Sequence, residues 1–318
     1  MSIPVVLAVD FGGTKVEAAL VRADGTLVDG SRLRAATGRS AEVAELEASV
    51  AQVVTHALTV FRALPDGHEL IGAGVGCAGP IDRAAGAISP LNVPSWRGYP
   101  MRALVERVVT DAGFPVPVVL EMDGVAIVLA EHWVGAAQGY DNVMGMVVST
   151  GVGGGIISHG RVVTGTTGNA GHIGHIEVAG IVGEDTFGNP NVLEAMASGP
   201  HTVAYARQHG FEGTTGEELA AAYRAGDAVA HAAIERTGRA VGKAISSAAA
   251  LLDLDVVAIG GGFSHATPDL FDFIRDQVAR HHLEFVRRVR VVPSGLSNDG
   301  PLIGAAALIF KRDQLPPM

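Results

Sequence analysis

Cysteine is nearly absent from this chain, which has a single one, Cys77, among 318 residues. One cysteine excludes an internal disulfide and any metal site built from several thiolates. Aromatic residues are also few, at 5% of the chain. The sequence lacks an apolar run long enough to span a membrane, and its first residues lack the charged and apolar regions of a secretory signal. We therefore expect a soluble, cytoplasmic protein with no membrane partner.

Positive charge is in deficit as well. The formal net charge is −10 and no cluster of lysine and arginine stands against it, so we expect no nucleic-acid partner. Hydrophobic residues make up 48% of the chain and glycines number 42, which is typical of an α/β enzyme. The length is sufficient for about two domains of roughly 150 residues each.

Hydrophobic patterning predicts one order of elements twice. The first copy has strands at 5–10, 16–21 and 26–28, helix 41–64, strand 70–75, helix 101–112 and strand 116–120. After a helix at 124–137, the second has strands at 143–149, 155–158 and 161–163, a helix-rich insertion at 192–252, strand 256–259, helix 268–281, strand 289–292 and helix 301–310. The repetition predicts two related α/β domains, 1–122 and 123–300, with a C-terminal helix at about 301–318 that packs back on the first.

A glycine-rich stretch near the middle of the chain reads Thr150-Gly151-Val152-Gly153-Gly154-Gly155. Glycines remove the Cβ atoms that would keep a bulky anion from backbone N–H groups, and they permit positive φ. One interpretation is a phosphate-binding loop that includes Thr150, Gly151 and Gly153. The other is a plain tight β-hairpin, because glycines within strand patterns often mark only a turn or bulge.

Asp10 ends the first predicted strand and is followed by Gly12-Gly13. A carboxylate there is suited to hold Mg²⁺, usually through water, while loop N–H groups hold phosphate oxygens. The alternative is an aspartate that starts an exposed turn, and the matching loop at 150–155 makes it the weaker interpretation. Gly260-Gly261-Gly262 follows the predicted strand at 256–259. It offers a close backbone approach to a nucleotide base and ribose, although a plain strand-to-helix turn explains it nearly as well.

Two common nucleotide-binding motifs are excluded. Residues 74–79 satisfy G-x-G-x-x-G, but Pro80 follows them and no helix pattern begins until about Met101. A dinucleotide-binding fingerprint must open a helix whose N-terminus meets the pyrophosphate. No G-x-x-x-x-G-K-[ST] occurs in the chain, so a P-loop enzyme is excluded at the level of motifs.

Asp123 follows a predicted strand and precedes a predicted helix, so we expect it at the carboxyl end of that strand. A carboxylate there could accept the proton of a substrate hydroxyl as its oxygen attacks a phosphate. An N-cap role for the following helix is an alternative that is compatible with the first. Glu121 is more typical of a structural residue.

Several polar residues form a candidate sugar site. Asn92 lies in a proline-punctuated loop where an amide could bind hydroxyl groups, and His172, His175 and Glu194 add a polar cluster. Isolated histidines are usually solvated or satisfied within the fold. Two of them, three positions apart beside a glycine-rich loop, are less easily dismissed.

Together these motifs resemble the ROK family of sugar kinases and related repressors, within the actin/hexokinase-like ATPase superfamily. The segments that carry the resemblance are DFGGTK at 10–15, GCAGPID at 76–82, NVPSW at 92–96, Asp123, STGVGGG at 149–155, GNAGHIGH at 168–175, LEA at 193–195 and IGGG at 259–262. The resemblance implies two ribonuclease H-like (actin/hexokinase-type) α/β domains with a cleft between them. The family's repressors carry an N-terminal helix-turn-helix domain, and this chain starts at the first phosphate loop, so we expect a kinase.

ROK kinases transfer the γ-phosphoryl group of ATP to a hexose hydroxyl, usually on C6. The resemblance therefore implies ATP and Mg²⁺ as cofactors, Asp123 as general base and, by analogy with the family, a homodimer. Sugar would be bound by Gly79, Asn92, Asp123, His175 and Glu194. Nucleotide and metal would be bound by Asp10, Gly12, Gly13, Thr14, Lys15, Thr150, Gly151, Gly153, Gly260, Gly261 and Gly262.

The chain departs from the family's zinc site. Most ROK members hold a structural zinc with a histidine at the His175 position and three cysteines. Here residues 183–194 contain no cysteine, so a tetrahedral thiolate site cannot form, and Asp185 with His175 would supply too few ligands. We expect no zinc, a segment held by packing and hydrogen bonds, and a His175 that is available to bind sugar.

The second departure is His172, where glucose-type members usually have Glu. A carboxylate only accepts hydrogen bonds, whereas a neutral imidazole can donate one, which suits the carbonyl of an N-acetyl group. The HIGH motif at 172–175 is similar to that of bacterial N-acetylmannosamine kinases, which favours an N-acyl hexosamine. The alternative is a glucokinase in which His172 lies at the pocket rim.

Two other functions stay open. A non-catalytic sugar sensor could keep the fold, although it would not need Asp10, Asp123 and both phosphate loops. Polyphosphate could replace ATP as the donor, because the loops recognise phosphate oxygens more obviously than adenine.

Overall fold

The computed structural model describes residues 2–38, 40–91, 93–180, 188–189, 191–296 and 298–317. The chain divides into two compact units. The first comprises Met1–Gly135, Arg161–Ala170 and Leu296–Met318, and the second comprises Ala136–Gly160 and Gly171–Gly295. The boundary predicted between residues 122 and 123 lies inside the first unit, whose first segment ends at Gly135.

The strands are β1 (Ile3–Phe11), β2 (Lys15–Arg22), β3 (Leu33–Ala36), β4 (His68–Cys77), β5 (Ile81–Asp82), β6 (Ala87–Ile88), β7 (Val118–Met122), β8 (Val143–Val148), β9 (Val152–Ser158), β10 (Arg161–Val162), β11 (Val256–Gly260) and β12 (Arg290–Pro293). The α-helices are α1 (Val43–Arg62), α2 (Met101–Asp111), α3 (Asp123–Trp133), α4 (Glu194–Ala197), α5 (Gly199–Gln208), α6 (Gly216–Arg224), α7 (Ala228–Leu252), α8 (Asp269–Ala279), α9 (Glu284–Arg287) and α10 (Gly300–Phe310). Of the helices in the described ranges, none is both long and apolar enough to cross a bilayer.

Two sheets have the same connectivity. One has the order β3-β2-β1-β4-β7 and the other has the order β10-β9-β8-β11-β12. In the first, β1 pairs antiparallel with β2 and parallel with β4, and in the second, β8 pairs antiparallel with β9 and parallel with β11. Because parallel strands end at the same edge, each sheet collects the loops after its central strands at one edge. The structure therefore has the predicted mixed α/β class, with two sheet-containing domains.

The core of the first unit explains the G-x-G-x-x-G pattern at 74–79 without a ligand. Helix α10 packs against β1, β4 and α3. A Cβ on Gly74 would lie 1.8 Å from the carbonyl oxygen of Ala305 in α10, and one on Gly76 would lie 3.3 Å from the Ala126 Cβ. These glycines allow helices to lie close to the sheet, which agrees with the rejection of the dinucleotide-binding interpretation.

One predicted strand is wrong. The third strand is not 26–28, which makes only the bridge Val21↔Leu27, but β3, which pairs with β2. The strand predicted at 155–158 begins earlier, since Gly153 pairs with Val147 of β8, and the glycine-rich stretch is the β-hairpin of the alternative interpretation. Helix α6 begins with a capping box, in which the side chains of Thr215 and Glu218 each accept a hydrogen bond from the other residue's backbone N–H.

Candidate functional site

The carboxyl ends of β1, β4 and β7 lie side by side in the first unit. Phe11 pairs with Cys77, and Cys77 pairs with Met122, so Asp10 and Asp123 lie near the same sheet edge. The Asp10 side chain is buried, with 9% of the residue exposed. Burial, and after it the charge of Asp123, raise the pKa of Asp10 to about 7. The carboxylates of Asp10 and Asp123 repel each other, so a cation bound beside them would stabilise their ionised forms.

The turn between β1 and β2 presents backbone donors beside Asp10. Gly12 N donates to the Lys15 carbonyl oxygen at 2.9 Å, and Thr37 fixes the turn by donating to the carbonyl oxygens of Gly12 and Thr14. Within the described chain, the N–H groups of Gly13 and Thr14 take no part in these backbone hydrogen bonds. Two amides that project from a braced turn can bind phosphate oxygens.

Lys15 is held by a buried carboxylate rather than projecting freely. Its Nζ lies 3.2 Å from Glu17 Oε2, and Glu17 is 1% exposed. Arg32 and Arg34 also contact the Glu17 carboxylate. Burial raises the pKa of Glu17, but the hydrogen bond from Arg34 and the charges of Lys15 and Arg32 outweigh it, so the pKa lies below 4.5. Sequence reasoning did not identify this cluster, because Arg32 and Arg34 meet Glu17 only through the pairing of β2 with β3.

Asp123 is the first residue of α3 and directly follows β7. The helix has Met122 as its N-cap, so the N-cap alternative does not describe Asp123. Its Oδ1 accepts a hydrogen bond from Gly124 N at 2.7 Å. Part of the Asp123 residue is exposed to solvent, but protein surrounds its carboxylate. The resulting desolvation raises the pKa of Asp123 to about 6. Such a carboxylate is mostly ionised at neutral pH and is a better base than an unperturbed aspartate.

The predicted sugar residues of the first unit fall in two loops. Gly79 precedes a cis peptide bond to Pro80, and the N–H of the preceding Ala78 donates to the Phe11 carbonyl oxygen at 3.0 Å. Gly79 therefore lies beside the end of β1. Asn92 lies outside the described residues. The chain that follows it is anchored by Trp96, which is buried and stacks on Phe11 at a centroid distance of 4.6 Å.

In the second unit, the β8–β9 turn is formed by Ser149, Thr150 and Gly151. Ser149 N donates to the Gly151 carbonyl oxygen at 2.9 Å. In the described part of the chain, the N–H groups of Thr150 and Gly151 do not donate to the backbone. None of the glycines at 151–155 has positive φ, so the stretch is a β-hairpin whose turn presents two amides. Gly153 lies in the strand, not in the turn.

Glu194 stabilises this turn. Its Oε2 accepts a hydrogen bond from Val152 N at 2.8 Å, and a Cβ on Gly151 would lie 2.7 Å from the same oxygen. Glu194 follows Leu193, whose N–H donates to the Ile176 carbonyl oxygen at 3.0 Å. This contact brings the start of α4 beside the His172–His175 segment.

The two histidines lie against each other and against β9. Their ring centroids are 5.5 Å apart with an interplanar angle of 90°. Gly174 between them packs so closely that a Cβ would lie 2.0 Å from the Val152 carbonyl oxygen. Burial, and then the neighbouring His175, lower the pKa of His172, so it is a neutral imidazole at physiological pH. The second unit thus brings His172, His175 and Glu194 together beside the turn.

Gly261 and Gly262 lie beside the same turn. Gly261 has a φ of +96°, and a Cβ there would lie 2.6 Å from the Val148 carbonyl oxygen, so only glycine fits. A cavity of about 460 Å³ adjoins both segments. Its lining comprises Ser149, Thr150, Gly199, Pro200, Val203, Thr214, Thr215, Gly216, Glu217, Ala220, Arg224, Gly262, Phe263, His265 and Ala266. No sequence pattern indicated Phe263 or Arg224 as a site residue, although Phe263 directly follows the glycine run.

A divalent metal fits the first unit only with help from water and phosphate. The described residues contain no group of three or more His, Cys, Asp or Glu side chains placed to hold a metal ion. Mg²⁺ commonly takes one or two carboxylates and completes its shell with water and phosphate oxygens. The buried Asp10 fits that pattern, since a cation would stabilise its ionised form. The segment expected to lack zinc, 183–194, lies in part outside the described residues.

Comparison with known proteins agrees with these features. The ROK family sequence model matches residues 6–312. A glucokinase from Thermotoga maritima is 30% identical over 324 residues, which cover 96% of this chain and 97% of that protein. An N-acetyl-D-glucosamine kinase from Escherichia coli is 30% identical over 247 residues, 74% of this chain and 79% of that protein.

A solved structure shows the same similarity in three dimensions. The crystal structure of a ROK family glucokinase from Streptomyces griseus, in complex with glucose and AMPPNP, superposes with a TM-score of 0.80 at 29% identity. The match covers 96% of this chain and 99% of that chain. The present chain belongs to the ROK family.

Proposed function

We propose that this ROK-family phosphotransferase transfers the γ-phosphoryl group of ATP to the 6-hydroxyl of a hexose or N-acyl hexosamine, with Asp123 as the general base. The observation that carries the proposal is the place of Asp123: a carboxylate with a pKa of about 6 at the carboxyl end of β7, near the buried Asp10. The curated relatives, a glucokinase and an N-acetyl-D-glucosamine kinase, support a sugar as acceptor.

The base acts by removing the hydroxyl proton as the sugar oxygen attacks phosphorus. The proton passes to the Asp123 carboxylate, the new P–O bond forms, and ADP leaves with the electrons of the broken bond. The hydrogen bond from Gly124 N at 2.7 Å fixes the orientation of the carboxylate. Accurate positioning of this kind supplies much of the catalysis in phosphoryl transfer.

Each unit offers backbone amides that we assign to phosphate oxygens. In the first turn these are the N–H groups of Gly13 and Thr14, since that of Gly12 donates to the Lys15 carbonyl oxygen. In the second turn they are the N–H groups of Thr150 and Gly151. Asp10 would hold Mg²⁺, which neutralises charge on the phosphate oxygens when it is bound. Lys15, braced by Glu17 at 3.2 Å, adds a fixed positive charge beside the first turn. Fixed amides and charges stabilise developing charge without reorganising.

The nucleotide is assigned to the cavity of about 460 Å³ in the second unit. Its lining combines Gly262 and Thr150 with the apolar side chains of Phe263, Val203 and Ala220. Polyphosphate has no apolar group to place against such a wall, whereas a purine has one. The cavity therefore favours ATP over polyphosphate as the donor.

In the first unit, Gly79, Asn92 and Asp123 are assigned to sugar binding. In the second unit, His172, His175 and Glu194 are assigned to sugar binding. His172 is neutral, so one of its ring nitrogens can donate a hydrogen bond to an acyl carbonyl or a hydroxyl. Glu194 already accepts from Val152 N through Oε2. Its other oxygen can accept from a sugar hydroxyl, which would connect sugar binding to the phosphate turn.

The test is a coupled assay of ADP release with glucose, mannose, N-acetylglucosamine and N-acetylmannosamine, run with ATP and with polyphosphate. We expect turnover with ATP on at least one sugar, and Asp123→Asn should lower kcat by about 10³ while sugar binding by calorimetry is retained. The matched control is Asp111→Asn, at the exposed end of α2. It removes the same charge and should leave kcat unchanged.

The possible outcomes separate the alternatives. Silence on every sugar with both donors, together with measurable sugar binding, would establish a sensor and overturn the proposal. Turnover with polyphosphate alone would overturn the assignment of the cavity to ATP. Near-normal kcat in Asp123→Asn would remove Asp123 from the mechanism and leave the donor and acceptor to be decided by the panel.

A further inference from the structure

A second cavity in the second unit, of about 390 Å³, shares no lining residue with the nucleotide cavity. Its charged lining comes from one helix, α7, which supplies Arg236, Arg239, Lys243 and Glu235. The three basic positions are spaced three and four residues apart, so they lie along one face of the helix. Among the described residues that line the cavity, three cations and one carboxylate give a charge of +2, in a chain whose net charge is −10. We call this the Arg236 cavity.

Arg236 is held in place by an aromatic ring, and no acidic side chain among the described residues pairs with it. Its guanidinium carbon lies 4.1 Å from the ring centroid of Tyr205. The residue is half-buried, and burial lowers the pKa of its guanidinium. Across the described residues, Arg236 forms neither an ion pair nor a hydrogen bond. A guanidinium desolvated on one face, with its N–H edge unused, is arranged to receive an anion.

The neighbouring charges do not neutralise Arg236. Glu235 contacts Arg239, with an N–O distance of 2.5 Å, and also faces His231 at 3.9 Å. Lys243 donates one hydrogen bond to the Ala179 carbonyl oxygen at 3.0 Å. An ammonium group has three donors, so two are left for a ligand. The cavity therefore offers donors from two directions.

The chemistry of these donors selects a phosphate. A planar guanidinium binds a phosphate through two parallel N–H···O bonds, and an ammonium adds a point charge on another oxygen. The double charge of a phosphate monoester matches the local charge of +2, and the volume admits a small organic group beside the phosphate. We propose that the Arg236 cavity binds a phosphate monoester, with Arg236 and Lys243 on its oxygens. The site lies outside the proposed function and does not depend on it.

The experiment is a calorimetric titration of the intact protein with inorganic phosphate and, separately, with a hexose 6-phosphate. A non-hydrolysable ATP analogue with Mg²⁺ and sugar are present throughout, so that the phosphate turns are filled. Arg236→Met keeps the stem against Tyr205 and removes the charge, and it should weaken phosphate binding by about tenfold or more. Tyr205→Phe retains the ring and should bind as the wild type does. The tighter of the two titrants identifies the source of the phosphate.

Arg288→Gln is the matched control, because Arg288 is exposed and paired with Glu284 in the same unit. Equal thermal unfolding of the variants confirms that they fold. The proposal is overturned if the wild type binds neither titrant, or if Arg288→Gln loses as much affinity as Arg236→Met. It is also overturned if Arg236→Met changes only the sedimentation of the protein, since a second copy would then cover the cavity.

Discussion

The two sheets share one strand order, yet their hairpin turns are stabilised by different means. In the first unit, the turn after β1 is flanked by charge: Asp10 before it and Lys15 after it, with Glu17 joining Lys15, Arg32 and Arg34. In the second unit, the hairpin of β8 and β9 contains no charged residue between Val143 and Ser158. Its turn is braced by one carboxylate from outside the hairpin, that of Glu194.

Close backbone packing takes the place of charge in the second unit. A Cβ on Gly154 would lie 2.7 Å from the Gly145 carbonyl oxygen, and one on Gly261 would lie 2.6 Å from that of Val148. The first turn is more tolerant, since a Cβ on Gly12 would come no closer than 3.5 Å to the Lys15 carbonyl oxygen. A shared topology therefore does not fix the chemistry of a turn. The first unit has a buried carboxylate and a charge cluster beside its turn, whereas the turn of the second has uncharged amides beside a cavity lined by both polar and apolar side chains.

The largest expected effect comes from breaking the charge cluster of the first unit. Glu17→Gln leaves Lys15, Arg32 and Arg34 without their shared carboxylate. We expect a loss of about 3 kcal/mol in the free energy of unfolding, at the low end for a broken buried pair because the cations reach solvent. Urea unfolding at neutral pH measures it. Glu284→Gln, which breaks an exposed pair with Arg288, should cost almost nothing.

The pH dependence of this loss follows from the depressed pKa of Glu17. A carboxylate with a pKa lower in the folded state than its ordinary 4.5 contributes stability above that value, and the contribution disappears as pH falls through the folded-state pKa. The difference between wild type and Glu17→Gln should be full at pH 7 and shrink below pH 4.5. A difference that stays constant into acid would show that Glu17 acts through packing alone.

The second-largest expected effect comes from a substitution that disrupts the close packing of the second unit. Gly261→Ala would force a side chain into positive φ against the Val148 carbonyl oxygen, at an expected cost of about 2 kcal/mol. Gly262→Ala is the matched control, because its Cβ would meet only Ser149 Oγ, at an ordinary 3.6 Å. Raising the salt concentration should leave the Gly261→Ala loss unchanged and reduce the Glu17→Gln loss. Equal losses in the two glycine variants would contradict the packing argument.

Much of the fold could be predicted from sequence because the elements are locally encoded. The apolar runs of β1 and β4 and the helical periodicity of α1 gave the repeated order. The third strand could not be found this way. Leu33–Ala36 has no alternating pattern, and it becomes a strand because it pairs with β2 and places Arg34 on Glu17.

Candidate site residues could be predicted from the sequence where they lie at the end of a strand. Those that depend on tertiary contacts could not. Asp10 lies near the end of the buried strand β1 and Asp123 directly follows β7, so their places at strand ends could be predicted from the sequence. The glycines at 153–155 could be interpreted either as part of a phosphate-binding loop or as a hairpin. The sequence pattern does not separate the two, since glycine allows a strand to pack tightly as readily as it allows a loop. The roles of Arg32 and Phe263 depend on contacts that no local pattern encodes.

The smallest expected effect concerns the pH dependence of turnover. It should follow the titration of Asp123 in the first unit and should not depend on the uncharged segment around Gly262 in the second. Because burial raises the pKa of Asp123 to about 6, kcat at saturating Mg²⁺, ATP and sugar should be level above neutral pH. It should fall about tenfold per pH unit below 6, as the base is protonated. Enzyme held at pH 5 and returned to pH 7.5 must recover, which excludes unfolding. Gly262→Ala, altered only in the uncharged segment, should keep the same midpoint. A midpoint near 4 in the wild type would mean that the carboxylate is not desolvated during catalysis.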